Sequence, residues 1–216
     1  AANGINPVPP SHAAAGGICL DMNAPGAAKL YSFTAGRHRF RSAAATKLQE
    51  SRIMEYLDVL ERCRRALPQP FERGSEAERE ALARFARFFS DFSPDKVDRL
   101  VDLTYAPDVW FNDTLKTIRG RDTLRSYLRH SAEAVESCRV EILDTLGNDR
   151  GDYYLRWTMV IRFRRFKRGQ DTQTIGMSHL RFNADGLVLL HQDYWDSTAG
   201  LFEHVPLLGA GIRAIK

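Results

Sequence analysis

The sequence predicts an α+β domain in which helices pack against one face of a curved sheet, and three observations predict it. Amphipathic helical patterns fill the first half of the folded region, and long β-prone runs fill the second. Asn183-Ala184-Asp185-Gly186 supplies a hairpin turn between the last two runs. At 216 residues, 44% of them hydrophobic, the chain fits one domain with a substantial core.

Spacing and punctuation justify each element in turn. Leu48, Ile53, Leu57, Leu60 and Leu67 recur near helical spacing between Ala45 and Leu67, and Pro68-Gln69-Pro70 stops that helix. Ser75-Glu76-Ala77-Glu78 has the form of a capping box and opens a helix with a stripe of Leu82, Phe85, Phe88, Phe89 and Phe92. Ser93-Pro94 starts a third helix with Pro at its first position, and Val97, Leu100, Val101 and Tyr105 follow. Val109-Trp110-Phe111-Asn112-Asp113 is short and β-prone, and Thr117-Ile118-Arg119-Gly120 comes next. A helix from Arg121 to about Val135 carries Leu124, Tyr127, Leu128 and Ala132 on one face. Strands over Arg139–Leu146, Tyr153–Arg165 and Thr172–Phe182 precede a closing strand from Leu187 to Asp196.

The net charge of +4 belongs to the first 49 residues, where Lys29, Arg37, Arg39, Arg41 and Lys47 face Asp21 alone. The rest of the chain has equal numbers of basic and acidic residues, so it lacks the footprint of a nucleic-acid-binding domain. Residues 1–46 are rich in Ala, Gly and Pro, a composition that fits a transit peptide, a disordered extension, or translated sequence upstream of a start at Met22 or Met54. Cys19, Cys63 and Cys138 are odd in number and widely spaced, which argues against a disulfide framework and for a reducing, cytoplasmic compartment. No apolar run approaches the ~20 residues of a membrane span. Arg162, Arg164, Arg165, Lys167 and Arg168 read as a solvated face, with an anionic partner as the alternative.

The candidate site lies on the closing strand. Alternation places Leu187, Leu189, His191, Asp193 and Trp195 on one face, and an imidazole and a carboxylate there need partners or a cavity. In the strand from Tyr153, the same logic turns Trp157 and Met159 inward. An even hairpin loop, which is the expectation, puts Ser178 with His191 and Asp193, and His179 with Gln192 and Tyr194 on the other face; an odd loop reverses this. Asp113, after the first short strand, is either a turn-capping carboxylate or a general base in a partly apolar pocket. His191 and Asp193 are either a satisfied polar lining or an acid/base imidazole set by a neighbouring carboxylate. No Gly-rich phosphate loop or metal-ligand set appears, so neither cofactor nor metal is expected.

Tyr105 to Asp113, then Ile118-Arg119-Gly120-Arg121-Asp122, and finally Arg181-Phe182-Asn183 with Gln192-Asp193-Tyr194-Trp195, resemble the SnoaL-like proteins of the nuclear transport factor 2-like superfamily, relatives of the ketosteroid isomerases. The resemblance covers roughly Ala77 to Asp196. It implies a cone-shaped, curved antiparallel sheet wrapped around the N-terminal helices and enclosing an apolar cavity. It also implies a small hydrophobic ligand, cofactor-free proton transfer (isomerisation, dehydration, cyclisation or hydration) and a homodimer. The alternative is a non-catalytic ligand carrier or a dimerising interaction module. Carried over residue by residue, Asp113 falls on the general-base position and Trp195 on a cavity-wall aromatic. Phe85 and Ser178 replace the two oxyanion donors, which argues against steroid-type isomerisation.

The resulting organisation is an extension over residues 1–46, a SnoaL-like α+β domain over 47–196 with a leading helix at 47–70, and an apolar C-terminal flap over 197–216. A peripheral membrane anchor is the second reading of that flap. Asp113, His191 and Asp193 are the catalytic candidates; Phe111, Tyr127, Trp157, Met159, Ser178 and Trp195 are the ligand-contact candidates. A chain beginning near Met54 is expected to stay soluble and keep most of its melting temperature. Loss of the circular dichroism melt on that truncation would make the preceding residues part of the domain.

Overall fold

The computed structural model describes residues 53–165, 169–200 and 202, and all that follows concerns these. Cys19, Lys167, Arg168 and most of the C-terminal apolar segment lie outside them.

The chain runs α1 (residues 53–66), α2 (Glu76–Phe89), α3 (Pro94–Thr104), β1 (Tyr105–Asn112), β2 (Thr117–Arg119), α4 (Arg121–Glu133), β3 (Val135–Gly147), β4 (Tyr153–Phe163), β5 (Asp171–Phe182), β6 (Val188–Trp195) and a helical turn α5 (Ser197–Gly200). The capping box forms with a shifted partner. Ser75 Oγ accepts from the Glu78 amide at 3.2 Å, while Glu78 Oε2 accepts from the amide of Gly74, not Ser75, at 2.6 Å. Glu78 Oε1 also accepts from the Tyr153 hydroxyl at 2.8 Å, tying α2 to the start of β4.

The six strands form one curved, unclosed sheet in the order β2-β1-β6-β5-β4-β3. It is mixed: β1 and β6 pair in parallel, and every other neighbouring pair is antiparallel. Helices α2, α3 and α4 cover the inner face, where Phe85, Phe88, Val101, Tyr105, Phe111, Leu124, Leu155 and Leu180 make the main core. Tyr105 follows Thr104 without a loop, so α3 delivers its last turn straight into the sheet.

The leading helix departs from the expected one-sided arrangement. Val59, Leu60 and Cys63 of α1 pack with Trp110 and Leu190 on the outer face. The helix is amphipathic along a different sheet face from its successors, a choice that local periodicity does not encode. His179 and Gln192, expected on an open face suited to dimerisation, are buried, whereas Tyr194 is exposed.

The β5–β6 hairpin reaches the expected facing by an unexpected route. Residues 183–187 separate Phe182 from Val188, an odd loop, yet Ser178 still pairs with Asp193 and Leu180 with His191. A bulge restores the parity: Arg181 pairs with Leu190 and Phe182 with Val188, leaving Leu189 as the extra residue. Leu189 therefore packs with the α1 cluster and not along the His191 face, which corrects the simple alternation. Asn183 Oδ1 accepts from the amides of Asp185 and Leu187, at 3.0 and 2.9 Å, and closes the turn.

Beneath α1 lies a buried ionic network. The Asp152 side chain has no accessible surface; it accepts from Arg64 Nη2 at 2.6 Å, Arg181 Nη1 at 2.8 Å and Asn148 Nδ2 at 3.2 Å, with His179 Nε2 at 3.2 Å. Burial alone would push its carboxyl upward, but the hydrogen bonds from His179, Arg64, Arg181 and Asn148 prevail and hold it well below the ordinary carboxylate range. His179 Nδ1 meets the Tyr56 hydroxyl at 2.7 Å, and Tyr154 stacks on the imidazole at 4.6 Å. Gly151, at φ +71°, brings this turn so near Pro70 and Pro68 that a Cβ would stand 2.4 Å from the Pro70 ring.

Asp152→Ala would leave Arg181 and His179 buried without their acceptor, and should cost about 3–5 kcal/mol in denaturant unfolding. A carboxyl held down in the folded state contributes stability that is fully present above its ordinary pKa and lost as pH falls from there through the lowered folded-state value. The wild type should therefore lose stability steeply in acid, and the variant should lose less.

Candidate functional site

Between the helices and the inner face of β3–β6 lies a cavity of about 340 Å³. Phe85 and Phe89 reach it from α2, Phe111 from β1, Tyr127 from α4, Trp157, Met159 and Ile161 from β4, and Trp195 from β6. Asp113, Ser178, His191 and Asp193 are polar residues of the same wall. All nine residues singled out in the sequence thus face one space.

Asp113 caps the turn after β1 and lines the cavity at the same time. Its Oδ1 accepts from the amides of Leu115 and Lys116 at 3.0 and 2.8 Å, so it does cap the turn after β1. Its Oδ2 accepts a very short hydrogen bond from the Tyr127 hydroxyl. Trp195 Nε1 donates to the Asp113 carbonyl at 2.7 Å, and Asn112 Oδ1 accepts from the Thr114 amide at 2.8 Å. Thr114 takes the left-handed conformation, φ 72°, which is costly for a β-branched residue and is held by these contacts. Burial pushes the Asp113 carboxyl above its ordinary value and the Asp193 charge adds to the rise, against the lowering effect of Tyr127 and the two amides. Burial, then the Asp113 charge, raises the Tyr127 hydroxyl, so it remains a phenol.

The second polar cluster is a chain of hydrogen bonds. His191 Nε2 lies 2.8 Å from Asp193 Oδ1 and 3.3 Å from Ser178 Oγ. Ser178 Oγ donates to Asp193 Oδ1 at 2.5 Å and accepts from Trp157 Nε1 at 2.9 Å. Behind the imidazole, His191 Nδ1 meets the Tyr105 hydroxyl at 2.9 Å. Burial raises Tyr105 well above the ordinary phenol value, so it stays a protonated phenol beside Nδ1. The other ring nitrogen, Nε2, faces the Asp193 carboxylate. His191 is 1% exposed, with Phe85 and Phe111 edge-on at 5.2 and 4.9 Å.

Tyr105 is the residue that sequence reasoning missed. It reads as the last apolar position of α3, whereas in the structure it opens β1, which lies between β2 and β6. Phe85 and Ser178, placed at the two oxyanion-donor positions, do line the cavity; Ser178 spends its proton on Asp193. Among the described residues no group of three or more His, Cys, Asp and Glu is placed to hold a metal ion. No described helix is long and apolar enough to cross a membrane.

A curved sheet closed over by helices around an apolar cavity with a few ionisable groups defines an α+β cone fold. The chain belongs to the SnoaL-like domain family, whose profile matches residues 82–191. No curated protein is similar enough to count as a match. Among solved structures, the chain is similar to an LEH-like epoxide hydrolase of M. tuberculosis, at 18% identity over 62% of this chain and 90% of that one, with a TM-score of 0.47. TsrD from Streptomyces laurentii aligns at 20% identity over 65% and 98% of the two chains, with a TM-score of 0.49. A protein from Catenulispora acidiphila with a ketosteroid isomerase-like fold, in complex with trimethylamine, aligns at 16% identity over 56% and 89%, with a TM-score of 0.49.

Proposed function

We propose that this protein binds a small, largely apolar molecule in the cavity and moves a proton on it with its own side chains. The observation that carries the reading is convergence: Asp113 and the His191–Asp193 pair face the same apolar space from opposite polar clusters. Asp113 is the base, because a carboxyl raised by burial accepts a proton nearer to working pH than an exposed one. His191 and Asp193 form the second proton carrier, with Tyr105 hydrogen-bonded behind the imidazole and holding its orientation. Tyr127 and Ser178 hold the two carboxylates in place. Isomerisation, dehydration, cyclisation and hydration all need such a pair of proton sites.

The test follows exchange of ligand protons with deuterated water across a panel of small apolar ketones and amines, with Trp157 and Trp195 fluorescence reporting binding. Asp113→Asn keeps the Oδ1 acceptor of the turn, removes basicity, and turns the Tyr127 hydroxyl from donor to acceptor at the second oxygen's place. It should slow exchange by about 100-fold or more while leaving affinity within about twofold. His191→Gln should lower both. If Asp113→Asn changes neither, the carboxylate is a turn cap and the carrier reading replaces the enzyme.

A dimerising surface is favoured by one further observation. Ile175, Met177 and Tyr194 remain exposed on the outer face. A homodimer through that strip should sediment as such at micromolar concentration, and Met177→Lys should split it; a monomeric wild type would count against it.

A further inference from the structure

We infer that the ligand of this cavity is an organic cation, a protonated or quaternary amine carrying apolar groups. This rests on the cavity being a ligand site and adds the chemical class of the occupant.

Three observations converge on it. The first is the state of the hydrogen-bond donors in the wall. Ser178 Oγ donates to Asp193, Tyr127 Oη to Asp113, Trp195 Nε1 to the Asp113 carbonyl, Trp157 Nε1 to Ser178, and Ser131 Oγ to the Tyr127 carbonyl at 3.0 Å. His191 Nε2 faces Asp193. A carbonyl, an alkoxide or a carboxylate entering the cavity therefore finds its O–H and N–H donors already engaged. An oxyanion would be desolvated without compensation, which costs more than a single hydrogen bond returns.

The second observation is charge. Two carboxylates, Asp113 and Asp193, belong to the wall, and among the described residues no Lys or Arg does. Lys116 stands 5.4 Å over the Tyr127 ring but is not part of the wall. Asp193 has its Oδ1 engaged by His191 and Ser178, and no described residue donates to its Oδ2. What the wall still offers is acceptor oxygen and negative charge.

The third is the nature of the apolar surface, which is aromatic to an unusual degree: Phe85, Phe89, Phe111, Tyr127, Trp157 and Trp195 all contribute. Ring faces carry negative quadrupole potential, so they solvate a cation while repelling an anion. A neutral hydrocarbon would gain from burial alone. A cation bearing apolar groups gains from burying those groups, while the rings and the two wall carboxylates offset the desolvation of its charge.

Benzyltrimethylammonium and its carbon isostere neopentylbenzene separate these contributions, because they share shape and differ in charge. The quaternary nitrogen cannot titrate, so any pH dependence reports the protein. Binding to the full chain is read from Trp157 and Trp195 fluorescence. The cation should bind at least about tenfold more tightly than the isostere at neutral pH. Its affinity should fall on acidification as Asp113 takes up a proton; the ionisable groups around that carboxyl are Tyr127, Lys116, Asp193 and His191. Asp113→Asn should weaken the cation about tenfold and leave the isostere unchanged, which also shows that the variant is folded. Equal or tighter binding of the isostere overturns the inference and leaves the cavity as a ligand site. Binding of neither probe overturns both.

Discussion

Asp152 is an ionised carboxylate with no access to water, and such a group is tolerable only where donors surround it. Arg64 from α1, Arg181 and His179 from β5, and Asn148 from the β3–β4 turn converge on it. Losing any one of these donors would expose the rest to the full desolvation penalty, so the network specifies where α1 sits as well as holding it there. Its position in turn commits one row of β5 to the outer face. His179 and Arg181 must point toward α1, and by strand alternation Ser178 and Leu180 must point toward the cavity. The outer network thus sets the orientation of the inner site without touching it.

The two faces solve the same physical problem differently. Outside, charge is neutralised by charge, with two guanidinium groups around one carboxylate. Inside, Asp193 is held by an imidazole and a hydroxyl, and Asp113 by a phenol and two amides, with no Lys or Arg in either set. The two cavity carboxylates are thus met by hydrogen bonds without a guanidinium or ammonium partner.

Much of this was legible from periodicity. The stripe of Phe85, Phe88 and Phe89 and the inward set of Trp157 and Met159 follow from repeats of 3.6 and 2. The features that escaped are those in which distant segments decide. The outer placement of α1 depends on Arg64 finding Asp152, 88 positions away. Tyr105 acquires its role from His191, 86 positions on, and Asp152 reads locally as one more polar residue of the Asn148–Asp152 turn. The parallel β1–β6 pairing likewise joins the first strand to the last, where no short-range pattern reaches.

The bulge at Leu189 has a consequence for how this hairpin can vary in length. An odd turn and one extra strand residue cancel, and only their sum keeps His191 and Asp193 inside. Insertions or deletions in relatives of this chain are then permitted at residues 183–189 only in compensating pairs. A single unmatched change would flip one strand against the other, setting the imidazole–carboxylate pair on the face opposite Ser178.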